Sequence, residues 1–383
     1  MKRFFLCGGR CPRRKLDAQK IINYFMANGW NSTRDYSKAD LAIVYTCGSF
    51  DYSEDESVNT IKKIFRKNTN LIVTGCMIKI SPDRIDPNVI IIPQEELGKL
   101  DRIIDANVKF KDISDVNTVN NIPGLFGENL IKKLSRHFQF RKSFINEGAG
   151  YLMRKFNFRR SNEYNIMISR GCLGECSYCV IKKAQGKLKS KPVKEVLREF
   201  DEGLKKGYRD FVLRGEDTGC YGMDIKTDIV SLLRKIFSYK KEFNIVIDDF
   251  NPQWLCRYNE ELISVFMENQ DRIKRIVIPV QSGSKRILGA MKRPYKIDSV
   301  RDILMEIRKK IPGLKIETHA LVGFPGESWE DFNETRKFLR EIGFSRIFIY
   351  RYADREGTEA YKLEGKLSRW VIFKRALLLG IVR

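Results

Sequence analysis

Three closely spaced cysteines are the residues of this sequence best suited to chemistry. They lie in the run Gly171-Cys172-Leu173-Gly174-Glu175-Cys176-Ser177-Tyr178-Cys179, with three and then two residues between them. Cubane iron–sulfur clusters are usually held by four cysteines, so this compact triplet would leave the fourth iron open to another ligand. An open iron suits the binding and activation of a small molecule better than the simple storage of an electron.

Two other interpretations of the triplet stay open at this point. The cysteines can be unrelated buried thiols, since free cysteine behaves as a small hydrophobe. They can also belong to a zinc knot, although structural zinc prefers four ligands and the chain offers only His137 and His319 to complete one. With two histidines in the chain, catalysis by a polar general base is a poor expectation.

Around the triplet, the chain alternates between strand-like and helix-like patterns, which predicts an α/β protein with parallel sheets. In residues 1–130, apolar runs at 3–6, 39–45, 70–73 and 89–92 alternate with helical patterns at 16–28 and 55–66. This stretch is predicted to form a flavodoxin-like or Rossmann-like domain. In residues 161–365, six strand-like runs predict a partial (β/α)6 TIM barrel; they are 165–169, 210–213, 244–247, 275–279, 315–322 and 346–350.

Three further cysteines follow the first three predicted strands of the N-terminal domain. They are Cys11, Cys47 and Cys76. Open α/β sheets bind ligands at the carboxyl ends of their strands, so these thiols predict a second metal-cluster site. Taken singly, each is also compatible with a buried core residue, which is our interpretation of the remaining three cysteines, Cys7, Cys220 and Cys256.

Basic residues dominate the chain and concentrate between the two predicted domains. Lys and Arg outnumber Asp and Glu by 71 to 48, a net charge of +23 that suits a polyanionic partner such as nucleic acid. Residues 131–160 carry nine Lys or Arg, one acid and six interleaved aromatic residues. Cations and aromatic faces together bind phosphates and unpaired bases, so we predict an RNA-contacting linker; packing of the aromatic residues between domains is the alternative. A basic helical tail is predicted at 366–383.

The sequence contains no feature that predicts export or membrane insertion. The N-terminal apolar run is too short for a signal peptide, and no stretch reaches the roughly 18 apolar residues of a membrane span. We therefore expect no membrane partner, a cytoplasmic location, and cysteines that act as ligands rather than disulfides.

Cys-x3-Cys-x2-Cys after a short strand resembles the radical S-adenosylmethionine (SAM) superfamily, and a three-cysteine α/β domain before it resembles the methylthiotransferases. The resemblance implies that Cys172, Cys176 and Cys179 are catalytic and hold a [4Fe–4S] cluster whose open iron chelates SAM. It also implies that Cys11, Cys47 and Cys76 hold a second [4Fe–4S] cluster carrying the sulfur to be transferred. An electron donor such as flavodoxin or ferredoxin is implied, and the sulfur donor is unknown.

Further segments match this family, with departures. The runs at 279–284, 291–295 and 322–327 resemble its Q-S-G, M-x-R-x-Y and V-G-F-P-G-E signatures. We predict SAM-binding residues among these turns and the Arg214–Asp217 segment: Glu216, Gln281, Ser282, Gly283, Arg293, Gly323 and Glu327. Arg14, Gln185 and His319 stand where the family usually has Asn, Arg and Asp.

The runs at 179–190 and 215–222, with Asn251-Pro252, are similar to the archaeal and eukaryotic branch of this family. That branch adds a methylthio group to N6-threonylcarbamoyladenosine beside the anticodon of tRNA, which implies tRNA as the partner. The RNA-binding TRAM domain that usually ends these proteins is not matched in this sequence. Methylthiolation of a ribosomal-protein side chain is therefore the nearer alternative, and a non-enzymatic zinc-bearing RNA-binding protein is the more distant one.

Overall fold

The computed structural model describes residues 1–9, 11–49, 51–119 and 163–380. These residues form two compact units: one contains the residues up to 119 together with 180–186, and the other contains 163–179 and 187–380. The predicted linker at 131–160 lies outside the described residues. The predicted domains were single continuous stretches, whereas the short segment after the triplet groups with the N-terminal unit.

A five-stranded parallel sheet forms the centre of the first unit. Its strands are β1 (Arg3–Gly8), β2 (Asn31–Ser32), β3 (Leu41–Thr46), β4 (Leu71–Gly75) and β5 (Ile90–Ile91). They are arranged in the order β2-β1-β3-β4-β5, and every pair is parallel. The parallel sheet expected in this part of the chain is confirmed.

Helices cover both faces of this sheet. They are α1 (Pro12–Ala27), α2 (Asp51–Phe65), α3 (Met77–Ile80) and α4 (Leu100–Ile103); a further helix, α5 (Ile181–Gln185), packs against α3. Successive side chains of β1 point to opposite faces, so Phe4 joins an apolar cluster with Phe25 of α1, while Phe5 joins another with Ile61 of α2. Burial on both faces is what strands of a parallel sheet require.

The second unit contains a six-stranded parallel sheet whose spatial order follows the sequence. Its strands and one small antiparallel pair are β6 (Glu163–Met167), β7 (Ser169–Arg170), β8 (Lys189–Ser190), β9 (Asp210–Arg214), β10 (Asn244–Ile247), β11 (Ile273–Val277), β12 (Lys315–Val322) and β13 (Arg346–Arg351). The sheet runs β6-β9-β10-β11-β12-β13, and β7 pairs with β8. Each βα unit thus places its strand beside the preceding one, as in a partial barrel.

The helices of the second unit are α6 (Val193–Lys205), α7 (Ile229–Phe237), α8 (Pro252–Arg257), α9 (Asn259–Glu268), α10 (Lys285–Ala290), α11 (Ile297–Lys310), α12 (Trp329–Ile342) and α13 (Arg369–Gly380). One large apolar cluster joins the strands to them. A capping box between Ser328 and Asp331 starts α12, and Gly343 at φ 62° ends it. Among the described helices, none has the length and apolar character needed to cross a bilayer.

Candidate metal centres and cofactor site

The triplet lies on a loop that starts after β7 and is tied to the end of α10. Gly171 begins this loop at φ 72°, a conformation that glycine adopts without steric cost. The amide nitrogen of Ser177 donates to the carbonyl oxygen of Met291 at 3.1 Å, and its hydroxyl donates to that of Ala290 at 2.8 Å. The loop is therefore held at its centre, between Cys176 and Cys179.

Gly174 allows two sulfur atoms to face the same small volume. A Cβ atom at this position would lie 3.2 Å from Sγ of Cys172 and 3.7 Å from Sγ of Cys176. The Gly174 amide also donates a hydrogen bond of 3.1 Å to the Cys172 sulfur, and bonds of this kind help to set the properties of iron–sulfur clusters.

Burial, followed by the charges of Asp217, Cys176 and Cys179, raises the pKa of Cys172 to about 12. The three thiols and the Asp217 carboxylate therefore lie close enough for their charges to interact. Because iron binds the thiolate form, a metal that enters this site must displace the Cys172 proton.

Asp217 is a buried carboxyl group beside the triplet. It accepts hydrogen bonds from Nε1 of Trp254 at 2.8 Å and from the amides of Gly219 and Asn251 at 3.1 and 3.3 Å. Burial nevertheless raises its pKa to about 6, although these donors and the positive charge of Arg293 act in the opposite direction. Neither Asp217 nor Trp254 is among the site residues predicted from the sequence, since nothing in their local sequence predicts that they meet.

Two predicted cofactor contacts, Gln281 and Arg293, have buried polar atoms that find no hydrogen-bond partner among the described residues: Oε1 of Gln281 and Nε of Arg293. Gln281 also has φ 65°, and its backbone is held there by hydrogen bonds of 2.8 Å to His319 and from Leu321. Strain of this kind costs roughly 1–3 kcal/mol, and an unsatisfied buried acceptor costs about as much. Strained residues of this kind cluster at functional sites, and a cofactor contact at Gln281 stays our prediction.

Ser282 and Gly283 are engaged within the protein itself. The hydroxyl of Ser282 and the amide of Gly283 both hydrogen-bond to Oγ1 of Thr335, each at 3.0 Å. A Cβ on Gly283 would lie 2.8 Å from backbone atoms of α12. These two residues therefore attach the turn that carries Gln281 to α12.

Gly323 and Glu327 likewise form a closed turn. The Gly323 amide donates to the Glu327 carboxylate at 2.8 Å, and Nη1 of Arg375 donates to the Glu327 carbonyl oxygen at 2.8 Å and pairs with the carboxylate. A Cβ on Gly323, which has φ 80°, would lie 2.5 Å from Ile372. These contacts assign Glu327 to holding the turn, and any contact with a cofactor stays a prediction.

Glu216 and His319 each have a protein partner. The Glu216 carboxylate accepts a 3.0 Å hydrogen bond from the Gly171 amide, which ties the end of β9 to the start of the triplet loop. Nδ1 of His319 lies 3.6 Å from Oδ1 of Asp249, and its ring meets Tyr350 edge to face. The imidazole that replaces the usual family aspartate is thus itself placed beside a carboxylate.

In the first unit, Cys11, Cys47 and Cys76 follow the adjacent strands β1, β3 and β4. Since these strands are parallel, their carboxyl ends lie at one edge of the sheet. Only glycine fits at position 75, where φ is 105°, because a Cβ there would lie 2.4 Å from the carbonyl oxygen of Thr46 on the neighbouring strand. Three thiols at one sheet edge are a donor set that fits an iron–sulfur cluster.

Within the ranges that the structure describes, no three His, Cys, Asp or Glu side chains converge on a single metal ion. A cubane binds each cysteine through a different iron atom. Its ligands therefore surround a volume rather than meet at one point.

Comparisons with known proteins agree with this architecture. Residues 166–339 match the Radical SAM superfamily, and residues 5–91 match Uncharacterized protein family UPF0004. The fold is similar to that of the radical S-adenosylmethionine methyltransferase TsrM from Kitasatospora setae, with a TM-score of 0.59, 13% identity, and coverage of 92% of this chain and 75% of that chain. Fold and sequence thus define a radical SAM enzyme, a class that uses a [4Fe–4S] cluster and SAM.

Curated relatives define the family more closely. A "Probable threonylcarbamoyladenosine tRNA methylthiotransferase" of Pyrococcus abyssi is 31% identical over 97% of this chain and 82% of its own length. A "Threonylcarbamoyladenosine tRNA methylthiotransferase" of Xenopus laevis is 30% identical over 94% of this chain and 61% of its own length. The "Ribosomal protein uS12 methylthiotransferase" of Thermotoga petrophila is 28% identical over 94% of this chain and 78% of its own length.

The chain therefore belongs to the radical SAM methylthiotransferase family and is a transferase. This result rules out the alternative of a non-enzymatic zinc-bearing protein.

Proposed function

We propose that this chain transfers a methylthio group to tRNA, converting N6-threonylcarbamoyladenosine beside the anticodon into its 2-methylthio derivative. The observation that carries the proposal is 31% identity over 97% of the chain to the P. abyssi relative named for that activity. The net charge of +23 supports it, because binding to RNA releases counterions from a polyanion.

We assign the first cluster to Cys172, Cys176 and Cys179. A cluster bound there would supply the one electron needed to cleave the sulfonium of SAM into methionine and a carbon radical. The protein's contribution is to orient and shield the reacting groups. Gln281 and Arg293 offer one buried acceptor and one buried donor for polar groups of SAM. The attachment of the Gln281 turn to α12 gives that contact a rigid support.

We assign a second [4Fe–4S] cluster, with the sulfur to be transferred, to Cys11, Cys47 and Cys76. Separate sites suit the two parts of the reaction, since one must deliver sulfur while the other generates the radical. An electron donor such as flavodoxin or ferredoxin and a sulfur donor complete the set of partners.

Methylthiolation of a ribosomal-protein side chain is the second candidate. It is favoured by the 28% identity over 94% of the chain to the uS12 methylthiotransferase of T. petrophila. Because that identity is close to the 31% found for the P. abyssi relative, a direct assay of both substrates is needed.

The test expresses the chain in a host whose own threonylcarbamoyladenosine methylthiotransferase gene is deleted. Nucleosides from total tRNA and peptides from uS12 are then analysed by mass spectrometry. We expect the 2-methylthio nucleoside with the unaltered chain, and its loss with Cys172→Ala and with Cys76→Ala. Cys7→Ala is the matched control, because Cys7 lies within β1 and packs against the core.

Methylthiolated uS12 together with unmodified tRNA would overturn the proposed substrate. Full activity of Cys76→Ala would overturn the second cluster.

A further inference from the structure

Two glutamine side chains donate to the thiol of Cys76. Nε2 of Gln185 lies 3.4 Å and Nε2 of Gln94 lies 3.9 Å from the Cys76 sulfur. The two amides are themselves connected, since Nε2 of Gln185 is 3.1 Å from Oε1 of Gln94. Neither glutamine is near Cys76 in the sequence, and both belong to the same compact unit as Cys76.

A buried ionic network determines which way the Gln94 amide points. Nη1 of Arg14 donates to Oε1 of Gln94 at 3.1 Å and to Oδ2 of Asp17 at 2.7 Å, and the Tyr45 hydroxyl donates to the same Asp17 oxygen at 3.1 Å. Arg14 is only 3% exposed. Because Oε1 of Gln94 accepts from Arg14 and Gln185, its NH2 group is left to face the Cys76 sulfur.

Packing of the helix that carries Gln185 fixes the position of this second glutamine. Val180 and Ala184 form a small buried cluster with Ile80 and Cys76 itself. Nζ of Lys183 donates to the Ile80 carbonyl oxygen at 3.3 Å. The short helix α5 is therefore seated against α3, and its last residue presents an amide to the thiol.

We propose that Gln94 and Gln185 are positioning residues that raise the reduction potential of the cluster held by Cys11, Cys47 and Cys76. This inference rests on the second cluster of the proposed function. N–H donors stabilise negative charge on a ligating sulfur, and a reduced cluster carries one more negative charge than the oxidised cluster, so reduction becomes easier. The buried Arg14 cation acts in the same direction through Gln94.

The experiment uses the full chain with Cys172, Cys176 and Cys179 changed to Ala, so that any iron belongs to the second site. After anaerobic reconstitution, iron content is measured and the midpoint potential is determined by absorbance during a redox titration. We expect Gln185→Leu and Gln94→Leu to shift the midpoint to more negative values, with a larger shift when they are combined. Gln19→Leu is the matched control, since buried Gln19 donates to Asn23 within α1.

Two further variants separate hydrogen bonding from packing. Gln185→Glu keeps the length of the side chain, removes its N–H donors and adds a negative charge, so it should give a negative shift at least as large as that of Gln185→Leu, even if a leucine variant loses its cluster. Gln185→Arg keeps N–H donors. Its midpoint potential should not fall below that of the parent, which is the chain with only the three cysteine substitutions.

The outcomes distinguish this inference from the function on which it rests. Failure of the parent to bind about four irons per chain, or retention of iron by Cys76→Ala, would overturn the second cluster. Normal iron content with the same midpoint potential in the parent, Gln185→Leu, Gln185→Glu and Gln94→Leu would overturn the role of the glutamines alone.

Discussion

Replacing two glycines by alanine, six positions apart, should change stability in opposite directions. At Gly283 an added Cβ would lie 2.8 Å from the Glu334 carbonyl oxygen, 2.8 Å from Thr335 Cα and 2.9 Å from Phe338 Cβ. Two of these atoms are backbone, so α12 itself must move. Overpacking of this kind costs typically 1–3 kcal/mol.

Gly289 provides the opposite case. It lies in α10, and apart from its chain neighbours and the backbone of that helix, no atom of the described residues lies within 4 Å of an added Cβ. Alanine there reduces the freedom of the unfolded chain and favours the helix, which is worth roughly 0.5–1 kcal/mol.

Scanning calorimetry of both variants and the unaltered protein measures the effect. For a domain of this size, 1 kcal/mol corresponds to about 2–4 °C in Tm. Gly283→Ala should therefore lower the Tm of the second unit by about 2–12 °C, and Gly289→Ala should raise it by about 1–4 °C. SAM affinity should fall only in Gly283→Ala, because the movement displaces Gln281. An unchanged Tm for Gly283→Ala would refute the packing argument.

Two ionic contacts of the same unit give further predictions. Burial opposes ionisation of Asp331, but hydrogen bonds from Arg286, Ser284 and Ser328 lower its pKa to about 2. The ionised Asp331 carboxylate should contribute about 2 kcal/mol to stability, complete above pH 4 and lost as the pH falls towards 2. Asp331→Asn should remove this part of the pH dependence of Tm. The same dependence of Tm on pH in Asp331→Asn and in the unaltered protein would contradict this prediction. Arg375→Leu leaves the Glu327 carboxylate buried without its cation and should cost about 3–5 kcal/mol, measured as a lower Tm. Adding Glu327→Gln should recover part of the loss, and a double variant no more stable than Arg375→Leu would count against the pair.

Much of the fold could be predicted from sequence because it depends on local patterns. Apolar runs predicted β1, β3 and β4 and the strands of the partial barrel to within a few residues. Strand β5 (Ile90–Ile91) lies within the run predicted at 89–92, whereas β2 (Asn31–Ser32) is only two polar residues long and too short to show a period. The boundaries of the basic linker stay predictions.

The functional residues also divide into those that local sequence predicts and those that depend on contacts between distant positions. Cysteine spacing predicts the proposed iron ligands of the triplet without any structure, since those residues are neighbours in the chain. The pair of Arg375 with Glu327 joins positions 48 residues apart, and the hydrogen bond of Gln185 to Cys76 joins positions 109 residues apart. In the sequence, only a departure from the family pattern distinguishes position 185, and nothing there indicates that Cys76 is its partner.

By itself, the sequence determined the family, the order of strands and helices along the chain, and the cysteines proposed to bind iron. The tertiary structure decided which predicted cofactor residues have their polar groups engaged and which do not. Glu327 and Ser282 are satisfied by partners, whereas Oε1 of Gln281 is buried without one in the part of the chain that the structure describes. The physical reason is that spacing along the chain fixes local geometry, while hydrogen-bond satisfaction depends on groups that only folding brings together.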